Sequence, residues 1–182
     1  MAARDASPGK KPTPEASQPA GVIGTGFLLS SLGAHASAQF AARVQPLGLT
    51  PPHVGLLWAI TSNPGRSQQA LADEFGMPPS RMVAFIDELE EKGLVERRRH
   101  ERDRRVHSLY LTKGGEKTMR LLADVGRAAE EALVGSLGDA ERRQLSELLR
   151  RVAESQQLTP GVHPGYRRMA AERPEPDAPH CT

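Results

Sequence analysis

The sequence predicts a mainly α-helical protein with one small β-hairpin, and three observations carry that reading. Apolar residues recur at helical spacing through most of the central region. Ser, Thr and Pro stand where helices would begin, and Gly where they would end. One short segment, Val106–Leu111, alternates side chains with period two directly after a basic run.

A first helix is expected from about Gly24 to Val44, with Leu28, Leu32 and His35 as its stripe and Phe27, Phe40 and Val44 beside it. Pro46 and Gly48 stop it. Thr50 before Pro51 and Pro52 is an N-cap followed by prolines at the first helical positions. That second helix carries Val54, Leu57, Trp58 and Ile60 and ends at Asn63-Pro64-Gly65. Ser67 caps a short third helix with Leu71, Ala72 and Phe75, closed by Gly76. Pro78-Pro79-Ser80 opens a fourth, whose Met82, Phe85, Ile86 and Leu89 share one face, with Gly93 as its C′ residue. Strands are expected at Leu94–Arg99 and Val106–Leu111, around a polar tip at His100–Arg104. In the second strand Val106, Ser108 and Tyr110 would share one face, and His107, Leu109 and Leu111 the other. Thr112 caps a long helix with Met119, Leu122, Val125, Ala129, Leu133 and Leu137. Gly138 interrupts it, and a last helix carries Leu145, Leu148, Leu149 and Val152.

Composition sets outer limits. The chain has 182 residues, 38% hydrophobic, with 24 Lys and Arg against 22 Asp and Glu. That length suits one domain, and the apolar share is below the roughly 45–50% of ordinary globular chains. Residues 1–21 and 159–182 are rich in Pro and poor in apolar side chains, so both are expected to be disordered tails flanking a foldable region at 22–158. No run of about 18 apolar residues occurs, so no membrane span is expected. The N-terminus lacks the apolar core of a secretory signal, and a cytoplasmic location is expected. The single Cys, Cys181, excludes an internal disulfide framework. Gly21-x-x-Gly24-x-Gly26 has no strand before it and reads as a flexible lead-in to the first helix, not a nucleotide loop. No G-x-S-x-G, P-loop or HExxH motif occurs, so neither an enzyme nor a cofactor is expected.

Two short helices joined at a glycine, followed by a hairpin, form the pattern of a winged helix-turn-helix, in which the second helix enters the major groove. Charge agrees. Glu96–His107 reads ERRRHERDRRVH, with six Arg against three acids. Such a hairpin calls for an anionic partner, and Arg suits both phosphate and a narrow minor groove. Double-stranded DNA is therefore the expected partner.

The stretches LGLTPPHVGLLWAI and SQQALADEFGMPPSRMVAFIDELEEKGLVERRRHERDRRVHSLYLTKGG resemble the MarR family of bacterial transcription regulators across about residues 24–155. The most telling parts are Leu89–Val95 with Arg97, then Asp103-Arg104-Arg105, then Leu111-Thr112-x-x-Gly115. The resemblance implies a homodimer joined by an all-helical lobe (24–46 and 112–158), a winged helix-turn-helix at 50–111, and a pseudo-palindromic operator. It further implies repression relieved by an effector. A low-specificity architectural DNA binder is the alternative.

For DNA contact the sequence offers Pro79, Ser80, Arg81, Val83 and Ala84 on the fourth helix, and Ser67 and Gln68 at the start of the third. The wing adds Arg97, Arg98, Arg99, Arg102, Asp103, Arg104 and Arg105. Asp103 and Arg105 match the family's wing Asp-x-Arg, where the acid would hold the Arg extended. Val83 and Ala84 stand where family members often carry Thr and Arg, so polar base readout contracts to Ser80 and Arg81. Ser67 could equally be a plain N-cap. The acidic run Asp87, Glu88, Glu90 and Glu91 reads as a solvated helix face. An effector pocket implied by the family would draw on His35, His53, Leu57, Trp58 and Met82 and take a small aromatic or anionic molecule. The competing reading makes His35 a hydrogen-bonded interface residue and His53 an exposed one. The two His are not spaced as a helical metal pair, so no metal site is expected.

Overall fold

The computed structural model describes residues 24–99 and 107–166. Helix α1 spans Thr25–Val44, followed by a 3-10 turn at Gln45–Leu47. Helices α2 (Pro51–Ser62), α3 (Gln68–Phe75) and α4 (Pro79–Glu91) lead into strands β1 (Val95–Arg99) and β2 (His107–Leu111). Helices α5 (Lys113–Val134) and α6 (Asp139–Ser155) complete the order. Thus the described residues form the expected mainly α class with a single antiparallel hairpin. None of the described helices is long and apolar enough to cross a membrane.

The chain divides into two compact units, Met1–His35 and Ala36–Thr182. The described part of the first is the N-terminal half of α1, whose Phe27, Leu28 and Leu32 are exposed. The second holds the core. Leu56, Leu57 and Ile60 of α2, Leu71 and Phe75 of α3, and Met82, Ile86 and Leu89 of α4 are buried together with Val95 and Leu109 of the hairpin. Each such side chain is worth about 1.5–3 kcal/mol of transfer free energy. The spacing of Met82, Phe85, Ile86 and Leu89 leaves Pro79, Ser80, Val83, Ala84, Asp87 and Glu88 on the solvent side of α4.

The helix boundaries follow from local chemistry. The Ser67 hydroxyl accepts from the Ala70 amide at 3.2 Å and starts α3. At the end of α4 Gly93 takes φ 66°, and the Leu94 amide reaches back to the Leu89 carbonyl at 2.9 Å. That six-to-one closure explains why β1 begins at Val95 and not at Leu94 as expected. Helix α5 ends at Val134, short of the expected Leu137. The Glu141 carboxylate accepts from the Gly138 amide at 2.8 Å, so the start of α6 is fixed by its own cap.

The hairpin departs from simple alternation. Ser108 and Leu109 are both buried, although they point to opposite faces. The α2–α3 connection lies along the outer edge of β2: Ser67 bridges Ser108, the Leu109 amide donates to Arg66 O at 3.0 Å, and Leu109 O accepts from Gly65 at 2.9 Å. Ser108 is therefore covered by backbone rather than by core side chains.

The tail expected from residue 159 is not free at its beginning. Tyr166 is buried, stacks on Phe75 with centroids 5.7 Å apart, and donates its hydroxyl proton to Pro51 O at 3.0 Å.

Gly115, in the first turn of α5, meets the turn after α4. A Cβ there would stand 2.1 Å from Leu94 O, while the Thr112 hydroxyl donates to Gly93 O at 2.5 Å. This contact accounts for the Leu-Thr-x-x-Gly motif in physical terms. We expect Gly115→Ala to lose about 2–3 kcal/mol in urea unfolding, because the clash is with backbone that a rotamer change cannot relieve.

Candidate nucleic-acid interface

Helix α4 offers the surface that the sequence assigned to the major groove. Pro79, Ser80, Val83 and Ala84 are exposed, and Arg81 is half-buried with its guanidinium 5.9 Å from the centre of the Phe85 ring. Met82 is fully buried and belongs to the core. Ser80 and Arg81 supply the polar groups of its first turn, and Asp87 and Glu88 stand further along the same side. The anions further along the helix are not a plain solvated face.

Asp87 and Glu90 are the partners of Arg97. Its guanidinium bonds Asp87 Oδ1 at 2.5 Å and the Glu90 carboxylate, and its Nε donates to Gln68 Oε1 at 3.0 Å. The Arg97 amide also donates to Glu90 Oε1 at 3.1 Å. Arg97 is only 19% exposed. Arg97 and Gln68, which the sequence offered for phosphate contact, are here engaged in tying β1 to α4 and α3. A single sequence could not show this, because the acids lie seven and ten residues before the Arg.

The remaining described wing residues reach outward. Arg98 bonds Glu96 Oε1 at 2.5 Å and lies over the Tyr110 ring at 4.5 Å, which stiffens the side chain without removing its charge. Arg99 is exposed at the end of β1. Arg102, Asp103, Arg104 and Arg105 lie outside the described residues. Ser67 serves as the α3 cap already noted.

His35 is exposed on α1, while Leu57 and Met82 are core residues with no exposed surface. Trp58 is 51% exposed and lines a cavity of about 550 Å³ along α2 and α3. A smaller cavity of about 260 Å³ lies between Phe40 of α1 and Gly126 and Leu133 of α5. No group of His, Cys, Asp and Glu among the described residues could hold a metal ion.

His53 is buried, not exposed. In the first turn of α2 its Nδ1 accepts from the Thr50 amide at 3.2 Å, which places the neutral-state proton on Nε2. Nε2 is 3.0 Å from Glu88 Oε2 and has no other partner among the described residues. The ring meets Phe85 edge-on at 5.3 Å. Burial pushes its pKa below the ordinary value; Glu88 opposes that shift, and Lys92 adds to it.

Two predictions follow from these contacts. Replacing Arg97 leaves Asp87 and Glu90 unneutralised, so Arg97→Ala should cost about 1–3 kcal/mol in denaturant unfolding. Arg97→Lys should recover only part, because an ammonium cannot span three acceptors in one plane. For His53, a folded pKa below the unfolded one means that protons favour the unfolded chain. Its contribution to stability is full above about pH 6.5 and is lost as pH falls from there through the folded value. His53→Gln retains an acceptor for Thr50, and its melting temperature should be flatter than the wild type's across that window. Parallel profiles would remove His53 as the titrating group.

Comparison with known proteins agrees with the fold. A profile of the MarR family matches residues 47–106. A putative transcriptional regulatory protein for the hcr operon of Thauera aromatica is 34% identical over 143 residues, covering 74% of this chain and 86% of the relative. The repressor CouR, solved bound to a 23-mer DNA duplex, is 32% identical with a TM-score of 0.64 and covers 71% of this chain and 92% of CouR. Rv2887, a MarR-family protein of Mycobacterium tuberculosis solved with salicylic acid, is 27% identical with a TM-score of 0.59, covering 72% and 97%. With this fold, this α4 surface and relatives of this closeness, the chain belongs to the MarR family of DNA-binding transcriptional regulators.

Proposed function

We propose that the chain acts in the cytoplasm as a homodimeric repressor that occupies a pseudo-palindromic operator and leaves it when a small molecule binds. The observation that carries the DNA-facing part is the exposed first half of α4, with Ser80, Val83 and Ala84 outward and Arg81 beside them. Arg81 is assigned the bidentate guanine contact, and Val83 or Ala84 the thymine methyl. Arg98, Arg99 and the wing tip at Arg102, Asp103, Arg104 and Arg105 are assigned to phosphate and minor groove. Arg97 is left out of this set because its partners are internal.

Dimerisation is supported by apolar stripes that one chain leaves in water. Leu148, Leu149 and Val152 are each at least 40% exposed at helical spacing on α6, and Phe27, Leu28 and Leu32 of α1 are as open. Stripes of this kind mark association surfaces. Two copies would set their α4 helices one DNA turn apart, about 34 Å.

The spare polar readout on α4 also favours an architectural binder of low specificity. Competition between a selected operator and bulk DNA separates the two. A preference near 10³ or more fits a regulator, and one below about tenfold fits the architectural reading. On a selected site Arg81→Ala should cost about 1–3 kcal/mol at one base pair per half-site. Arg105→Ala should weaken all sequences alike and lower the salt slope by about one. Sedimentation of a monomer at the DNA-binding concentration would overturn the dimeric repressor.

A further inference from the structure

The Tyr166 side chain fills a slot that has the features of a small-molecule site. Its ring lies nearly parallel to Phe75, at 14°, and its hydroxyl donates to Pro51 O. Gly55 makes room for it: a Cβ there would stand 3.0 Å from the phenol oxygen, 3.1 Å from Cε2 and 3.4 Å from the Phe75 ring. Burial raises the phenol pKa, so the slot holds the neutral form.

The ring is also a wall shared by two cavities. One, of about 550 Å³, is lined on its far side by Trp58, Asn63 and Glu74. The other, of about 560 Å³, extends toward Ser37, Pro52 and His163. Both fall within the size range of small-molecule sites. Neither has a Lys or Arg among its described lining residues, and Glu74 is already paired with Arg66. A carboxylate would find no Lys or Arg there and only His163 at the edge of one cavity, whereas an uncharged ring with one donor finds a stacking face and a carbonyl. No residue of α5 lines either cavity; the chain after α6 does instead.

The occupant is lightly held. Between Ser155 and Tyr166 the chain forms no long helix or strand, and its own backbone bonds are local ones, such as Val162 to Thr159 O at 3.2 Å and Tyr166 to His163 O at 3.0 Å. Segments of this kind open at lower cost than the helices they rest on.

We propose that the slot under Tyr166 is a binding site for a neutral phenol, and that Tyr166 is its built-in competitor. The incoming ring stacks on Phe75 and donates to Pro51 O in place of the Tyr166 side chain. The regulatory consequence rests on the effector reading above; the binding does not.

The test uses the full chain and p-cresol, which reproduces the tyrosine side chain. Trp58, the single tryptophan, lines the adjoining cavity and reports by its emission. Removing an intramolecular competitor raises apparent affinity by the inverse of the open fraction. Tyr166→Ala should therefore bind p-cresol about tenfold more tightly than wild type. Tyr166→Phe keeps the stacking but loses the donor, and should fall between them; it carries the test if Tyr166→Ala does not fold. Adding Gly55→Ala to Tyr166→Ala should weaken p-cresol several-fold, and benzoate should bind far more weakly than p-cresol. Equal affinity of p-cresol for wild type, Tyr166→Phe and Tyr166→Ala would overturn the proposal, as would benzoate binding as well as p-cresol. Operator affinity is measured separately with and without p-cresol. Binding that leaves DNA affinity unchanged upholds the site and overturns only its regulatory consequence; absence of binding in every variant, with operator affinity intact, overturns the site.

Discussion

The Arg97 guanidinium joins three elements that the backbone connects only loosely. It sits on β1 and reaches Asp87 and Glu90 on α4 and Gln68 at the start of α3. The hairpin is also held by the turn at Gly93 and Leu94, by Val95 and Leu109 in the core and by the α2–α3 connection along β2. The Arg97 fork, planar and held by two carboxylates and an amide, adds a side-chain restraint on the pitch of β1 against α4. Arg98 and Arg99, further along β1, take their position relative to the outward side of α4 from this clamp. The cost is modest because Arg97 keeps 19% of its surface in solvent and the acids keep more, so this is not an isolated buried pair.

The same clamp settles the acids on the recognition helix. Four carboxylates within five residues of α4 would repel phosphate if all were free. Asp87 and Glu90 share the single positive charge of Arg97, and Glu88 Oε2 lies 3.0 Å from His53 Nε2. Only Glu91, at the far end of the helix, has no such partner among the described residues. The negative charge is therefore placed away from the first turn of α4, where Ser80 and Arg81 stand. Neutral Val83 and Ala84 separate the two regions.

The sequence was most legible where the signal is local. Caps such as Ser67 and Thr112, the stop at Gly93 and the four apolar positions of α4 each act within one or two turns, so spacing alone located them. Legibility failed where a residue's environment is supplied from elsewhere in the chain. Ser108 is covered by the α2–α3 connection, which no strand periodicity records. Arg97 reads as one more wing Arg until Asp87 and Glu90 are seen beside it. Tyr166 lies in a Pro-rich stretch whose composition argues against packing, and its partners, Phe75 and Pro51, are more than ninety residues away. A lone aromatic in such a stretch was the available signal. His53 carried a second one: at the third position after Thr50 it stands where a capping side chain reaches back to the helix start.

The first turn of α2 is where these separate features meet. Pro51 presents the carbonyl that accepts from Tyr166, and His53, two residues on, faces Glu88 and Phe85 of the recognition helix. Phe85 in turn lies under Arg81. A ligand changes a conformational equilibrium only through its unequal affinity for the two states, and energetic coupling between sites needs an element with two arrangements that both sites bias. Here the shared element is one helical turn, in which the buried His53 Nε2 lies 3.0 Å from Glu88 Oε2 of α4. A change at Pro51 has only two residues of rigid helix to cross before it reaches that contact.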